Sequence, residues 1–206
     1  MVPSLFFRKN NSLSSLGDKK KKLREEYRRR RDAFYSQLDT ATRGLAFRRP
    51  PSPLARLIER SEVIALYSAI GSEAPTSRLA DYLAEIGKTV AFPVCTGDRP
   101  LEFRKVDNIA LLESGFRNIS EPGADCPLVS PDLIIAPMLA FDRSMHRLGQ
   151  GGGHYDRSFA QYPDALRIGL AWSVQETDSV PVQPHDITLD MIVTESEIIQ
   201  RDDLTS

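Results

Sequence analysis

The sequence predicts a single α/β domain, a mainly parallel sheet flanked by helices on both faces. Three observations carry that expectation. Short apolar runs at 63–67, 89–94 and 133–136 are separated by stretches of helical period. A cluster of glycines lies between the last of these runs and another helical stretch. The length, 206 residues, suits one sizeable core and leaves little room for a second domain.

Residues 1–17 mix Ser, Asn and Gly without periodicity and read as a loose arm, which places the domain at 18–206. From Asp18, the expected N-cap, Leu23, Tyr27, Phe34 and Leu38 recur at multiples of three to four, as one face of a long amphipathic helix does. Its other face carries Lys19 through Lys22, Arg24 and Arg28 through Arg31; most of these charges are expected in solvent, with one or two left to bind anions. Arg48-Arg49-Pro50-Pro51 breaks the pattern, and Pro51-Ser52-Pro53 starts a second helix through Glu59.

The period then changes. A strand at 63–67, a helix at 75–86 closed by Gly87 and a strand at 89–94 make one βαβ unit. Residues 101–106 alternate as a strand, 109–113 read as a short helix ended by Gly115, and 133–136 form a strand entered through Pro131-Asp132. A helix at 155–161 and strands at 166–172 and 187–193 follow the glycines. This alternation gives a Rossmann-like three-layer architecture.

Lys and Arg number 27 against 28 Asp and Glu, a net charge of -1, so no global field favours nucleic acid or an anionic membrane and any anion site must be local. Cys95 and Cys126 have no partner at disulfide-framework or zinc-ligand spacing. Leu5-Phe6-Phe7 is too short for a signal-peptide core, and no run approaches the roughly 18 apolar residues of a membrane helix. A cytoplasmic monomer is expected, with neither nucleic acid nor membrane as a partner.

Gly149, Gly151, Gly152 and Gly153 stand where backbone amides can approach a phosphate. No Gly-Lys-Ser/Thr follows, as a P-loop requires, and the third glycine of a dinucleotide fingerprint falls on His154. From the glycines alone a plain tight turn and an anion site are equally good readings. The flanks favour the second: Arg147 offers a guanidinium fork for phosphate oxygens, and Asp156 a hard carboxylate oxygen of the kind Mg²⁺ takes beside substrate phosphates.

The run Arg147-Leu148-Gly149-Gln150-Gly151-Gly152-Gly153-His154-Tyr155-Asp156 resembles the signature of the 5-formyltetrahydrofolate cyclo-ligase family. Lys20-Lys21-Lys22-Leu23-Arg24, Tyr67-Ser68 followed by Glu73 and Thr76, Phe92-Pro93, Leu101-Glu102-Phe103, Asn118 through Pro122, and Leu189-Asp190 with Val193-Thr194-Glu195 are similar to further family segments in the same order. The resemblance implies an ATP-dependent enzyme that cyclises 5-formyltetrahydrofolate, polyglutamylated forms included, to 5,10-methenyltetrahydrofolate. It further implies an ATP site of Lys20, Arg24 and the run Arg147, Leu148, Gly149, Gln150, Gly151, Gly152, Gly153, His154 and Tyr155, with Arg147 and Tyr155 in catalysis. Ser68, Glu73 and Gln150 through His154 would touch the folate, and Asp156 and Asp190 would hold Mg²⁺. By the residues alone, Lys20 looks like any other member of a basic helix face, and Asp190 like a carboxylate ending a turn. Two positions depart from the family: His154 stands where a Tyr is frequent, and Gly152 where some members carry Lys.

Overall fold

The computed structural model describes residues 15–115, 119–201 and 204. Residues 1–14 of the expected arm and Asn118 lie outside that range. Helix α1 spans Leu16–Gln37, so Leu16 and Gly17 belong to the helix and not to the arm. Its N-cap is Ser15, not Asp18: the Ser15 hydroxyl accepts from the Asp18 amide, and the Asp18 carboxylate accepts from the Ser15 amide. This reciprocal box satisfies two amide donors that an Asp18 start would have left to the preceding chain. A short helix α2 (Thr40–Leu45), capped by the Asp39 side chain, precedes the expected proline break, and α3 (Ser52–Arg60) follows it.

Five parallel strands form the centre of the sheet: β1 (Val63–Ala65), β2 (Thr89–Val94), β6 (Leu133–Pro137), β9 (Leu166–Leu170) and β10 (Met191–Val193). Antiparallel strands β3 (Glu102–Lys105) and β11 (Ile198–Gln200) close its edges, giving the order β11-β10-β9-β6-β1-β2-β3. Helix α4 (Ser77–Glu85) connects β1 to β2, and α5 (His154–Gln161) leads to β9. The mainly parallel sheet expected from the apolar runs is the one found.

Successive side chains of a strand point to opposite faces, and the core divides accordingly. Ile64, Val90, Leu133, Ile135, Ile168 and Met191 pack with Leu54 and Ile58 of α3 and Leu79 and Leu83 of α4. Ala65, Ala91, Ile134, Ala136 and Ile192 pack on the other face with Phe103 and with Phe159 of α5. Phe34 and Tyr35 lay α1 on the first face, against the fully buried Trp172. Helices therefore cover both faces, as in a three-layer domain.

Several boundaries differ from expectation. The 109–113 helix is only a 3-10 turn, Ile109–Leu111, after which Glu113–Ser114 (β4) pairs with Ser120–Glu121 (β5). The strand expected to reach Trp172 ends at Leu170, because Trp172 starts a 3-10 turn at Ser173–Gln175. Residues 187–190 do not join β10 as expected, since Leu189 donates its amide to the Met145 carbonyl instead of to the ladder. Between β6 and the glycines an unforeseen hairpin, β7 (Ala140–Phe141) and β8 (Arg147–Leu148), turns through Asp142, whose carboxylate accepts from the amides of Ser144, His146 and Val180. Its strands are two residues long, too short to leave a period in the sequence. Among the described residues no helix is long and apolar enough to cross a membrane.

Candidate active site

The hairpin ends in the glycine loop, and α1 lies along it. Gly151 (φ 106°) and Gly153 (φ 66°) adopt backbone conformations that side chains disfavour. Gly153 is the N-cap of α5 and supplies no side-chain cap to it. The amino end of α5 faces the loop, where helix amides favour an anion. Leu148 turns its side chain into a small core with Tyr27, Leu139, Ala140 and Val180, so it anchors the loop from behind.

Cations reach the loop from α1. Arg24 donates from Nε to the Gly149 carbonyl at 2.9 Å, and Arg28 from a terminal nitrogen to Gln150 Oε1 at 2.7 Å. One turn earlier, Lys20 Nζ is buried against Asp186 Oδ2 at 2.5 Å and Gln183 Oε1 at 3.2 Å. Burial raises the Asp186 carboxyl, but hydrogen bonds from the Lys20 ammonium and the Gln183 amide outweigh it and hold the group below its ordinary value. Arg31 is 3.6 Å from Glu73 Oε1. Lys20, Arg24 and Arg31 thus turn inward, while Lys19, Lys21, Lys22, Arg28, Arg29 and Arg30 remain exposed, as expected for most of these charges. Arg28 and Arg31 were missed as site residues, although they stand four and seven positions after Arg24, on the same helical face. Asp186 had no such signal.

Arg147 of β8 donates to Asp156 Oδ1 at 2.8 Å and lies over the rings of Phe159 and Tyr155, 5.1 Å and 5.8 Å from their centroids. Its Nε is buried without a hydrogen-bond partner, an orphan donor that an anion at the loop would satisfy. Asp156 Oδ1 also accepts from the Ile187 amide. Burial, and then the charge of Glu73, push the Tyr155 phenol far up, so it stays a neutral O–H donor. His154 stands 3.9 Å from Cys95 Sγ and 3.2 Å from Arg157, which also donates to the Gly152 carbonyl. A side chain at Gly152 would meet the His154 ring at 2.7 Å, so the two departures from the family pattern sit against each other.

Glu73 lies in the loop after β1. It is buried, it accepts from the Ile70 amide, and burial raises its carboxyl above the ordinary 4.5 against the opposing effects of that amide, Arg31 and the Gln150 side chain. Through Gln150 the acidic pocket and the glycine loop are adjacent. Ser68, on the same loop, spends its hydroxyl hydrogen on the Ser120 carbonyl at 2.5 Å.

Asp190 is not gathered into this constellation. At the amino end of β10 it receives both Arg167 Nε and a terminal nitrogen at 2.9 Å, and Arg201 at 3.4 Å. It shares no partner with Asp156. Among the described residues no three His, Cys, Asp or Glu side chains are grouped as metal ligands would be. Asp156, whose bonds to Arg147 and Ile187 both fall on Oδ1 among the described residues, fits Mg²⁺ as one carboxylate beside substrate phosphates. Asp190, saturated by arginines, does not fit as the second.

Fold and site together define an α/β protein in which cationic side chains and a glycine loop lie next to a buried carboxylate. A model of the 5-formyltetrahydrofolate cyclo-ligase family matches residues 17–195. The Escherichia coli K12 5-formyltetrahydrofolate cyclo-ligase is 32% identical over 168 residues, covering 77% of this chain and 87% of that protein. The Mycolicibacterium smegmatis cyclo-ligase is 31% identical over 140 residues, covering 64% and 72%. The solved structure of Aquifex aeolicus 5,10-methenyltetrahydrofolate synthetase superposes with a TM-score of 0.71 at 27% identity, covering 88% of this chain and 92% of that one. The chain belongs to the 5-formyltetrahydrofolate cyclo-ligase family, and it is an enzyme of that family.

Proposed function

We propose that the enzyme converts 5-formyltetrahydrofolate to 5,10-methenyltetrahydrofolate at the cost of one ATP. The formyl oxygen is a poor leaving group. Its attack on the γ-phosphorus expels ADP and leaves a phosphorylated oxygen on the formyl carbon. The neighbouring folate nitrogen then attacks that carbon, loses its proton, and phosphate departs with the oxygen. Such a route needs positioning and charge neutralisation more than a protein nucleophile.

The observation that carries this reading is the adjacency of the loop at Gly149 through Gly153 to the buried Glu73 carboxylate, joined by Gln150. Lys20, Arg24, Arg147 and the amino end of α5 receive the phosphates. Tyr155 donates to charge developing on the transferred group, and Glu73 accepts from the amino edge of the pterin. Ser68 and His154 line the folate side. Mg²⁺, held by Asp156 and the phosphates, would neutralise phosphate charge. The test is the absorbance of the methenyl product when purified protein meets 5-formyltetrahydrofolate and MgATP. Product is expected only with ATP, and its absence overturns the assignment.

A further inference from the structure

The first helix contributes one arginine whose surroundings have no purpose in phosphate binding. Arg31 is 5% exposed, and its Nε donates to Ser72 Oγ at 3.0 Å. The Ser72 hydroxyl in turn donates to Asp32, and the Ser72 carbonyl accepts from the buried indole of Trp172. The guanidinium is thus fixed by Ser72 of the loop after β1, itself held by Asp32 of α1 and by the Trp172 indole. Its NH1, buried and without a hydrogen-bond partner, stands 3.6 Å from Glu73 Oε1. A buried cation kept this close to a buried carboxylate, with one donor unspent, is costly unless the carboxylate is ionised when the site works.

We propose that Arg31 is a positioning residue for the folate subsite, holding the Glu73 carboxylate charged and oriented toward the pterin edge without touching the substrate itself. The proposal rests on the folate role given to Glu73 above. The groups that face Glu73 are Arg31 from α1, the Ile70 amide of its own loop, Gln150 from the glycine loop, Tyr67 after β1, and Tyr155 from α5. Arg31 is the only cation among them. Tyr67 and Tyr155 are both pushed up first by burial and then by Glu73, so they remain neutral and cannot replace that charge. Burial favours the protonated acid, and Arg31 opposes burial directly.

The test compares Arg31→Gln and Arg31→Lys in the full chain, with Arg30→Gln, a half-exposed position on the same helix, as control. In Arg31→Gln the acid limb of kcat/KM for 5-formyltetrahydrofolate moves up by about one pH unit or more, with KM for ATP unchanged. In Arg31→Lys the charge remains and the limb stays, but KM for 5-formyltetrahydrofolate rises, because an ammonium cannot hold Ser72 and face Glu73 as the fork does. A folded Arg31→Gln protein with wild-type limb and KM overturns the proposal; where that variant does not fold, an Arg31→Lys protein with wild-type KM does so. Failure of the underlying reading looks different. The wild type would then show no ATP-dependent product, or Glu73→Gln would keep the wild-type KM for 5-formyltetrahydrofolate.

Discussion

Arg147 and Asp156, nine positions apart on either side of the glycine loop, are joined by a 2.8 Å hydrogen bond between guanidinium and carboxylate. The pair closes the base of the loop and leaves Arg147 Nε, buried without a hydrogen-bond partner, available to a ligand. The residues that the sequence offers separately to phosphate and to Mg²⁺ are therefore one structural unit, and substitutions there act on stability and turnover together.

Asp156→Asn keeps an oxygen for Arg147 and for the Ile187 amide but removes the charge. Stability should fall by about 1–2 kcal/mol, less than the roughly 3–5 kcal/mol for deleting one partner of a buried pair. Mg²⁺-dependent turnover should fall by about tenfold or more, as expected when a charged contact to the metal is lost. Urea denaturation and a Mg²⁺ titration of initial rates separate the two effects. Unchanged turnover would remove the metal role.

Asp190→Asn should behave in the opposite way. Its carboxylate is committed to Arg167 and Arg201, so the loss is expected in stability, about 2–3 kcal/mol, with the Mg²⁺ dependence of the rate unchanged. A shifted Mg²⁺ requirement in a stably folded variant would show that Asp190 reaches the metal after all.

Gly151→Ala places a methyl group at φ 106° and 3.3 Å from Arg24 Cζ. The strain costs about 1–3 kcal/mol, and the arginine is displaced from the Gly149 carbonyl. KM for ATP should rise while KM for 5-formyltetrahydrofolate changes little. Steady-state kinetics with each substrate varied in turn checks the split.

Glu73 sets a pH dependence whose sign follows from its raised carboxyl. A raised acid protonates at higher pH, so pterin binding by the ionised form is lost on acidification before an ordinary glutamate, at 4.5, would titrate. For stability the same shift works in reverse: the ionised form is the one that burial disfavours, so its penalty on folding is relieved as pH falls through the raised value. The acid limb of kcat/KM for 5-formyltetrahydrofolate should lie above 4.5 and vanish in Glu73→Gln. A limb that persists in that variant belongs to another group.

The sequence by itself determined the layers and the loop. Alternating apolar runs and helical periods are local signals, and they yielded the central parallel strands, α1, α3, α4 and α5; the glycines between Arg147 and Asp156 marked the loop before α5. It did not reveal the two-residue strands of the β7–β8 hairpin or the antiparallel edge strand β11, whose pairing is set by neighbours and not by period. Only the tertiary structure decided what each charge does. A helical period shows that Lys20, Arg24, Arg28 and Arg31 share a face; it does not show that the face turns inward to Asp186, Gly149, Gln150 and Glu73. Likewise nothing near Asp190 in the chain indicates that Arg167 will claim it. Periodicity is written in a few consecutive residues, whereas a charge takes its role from the partner that folding brings within reach and from the water that folding removes.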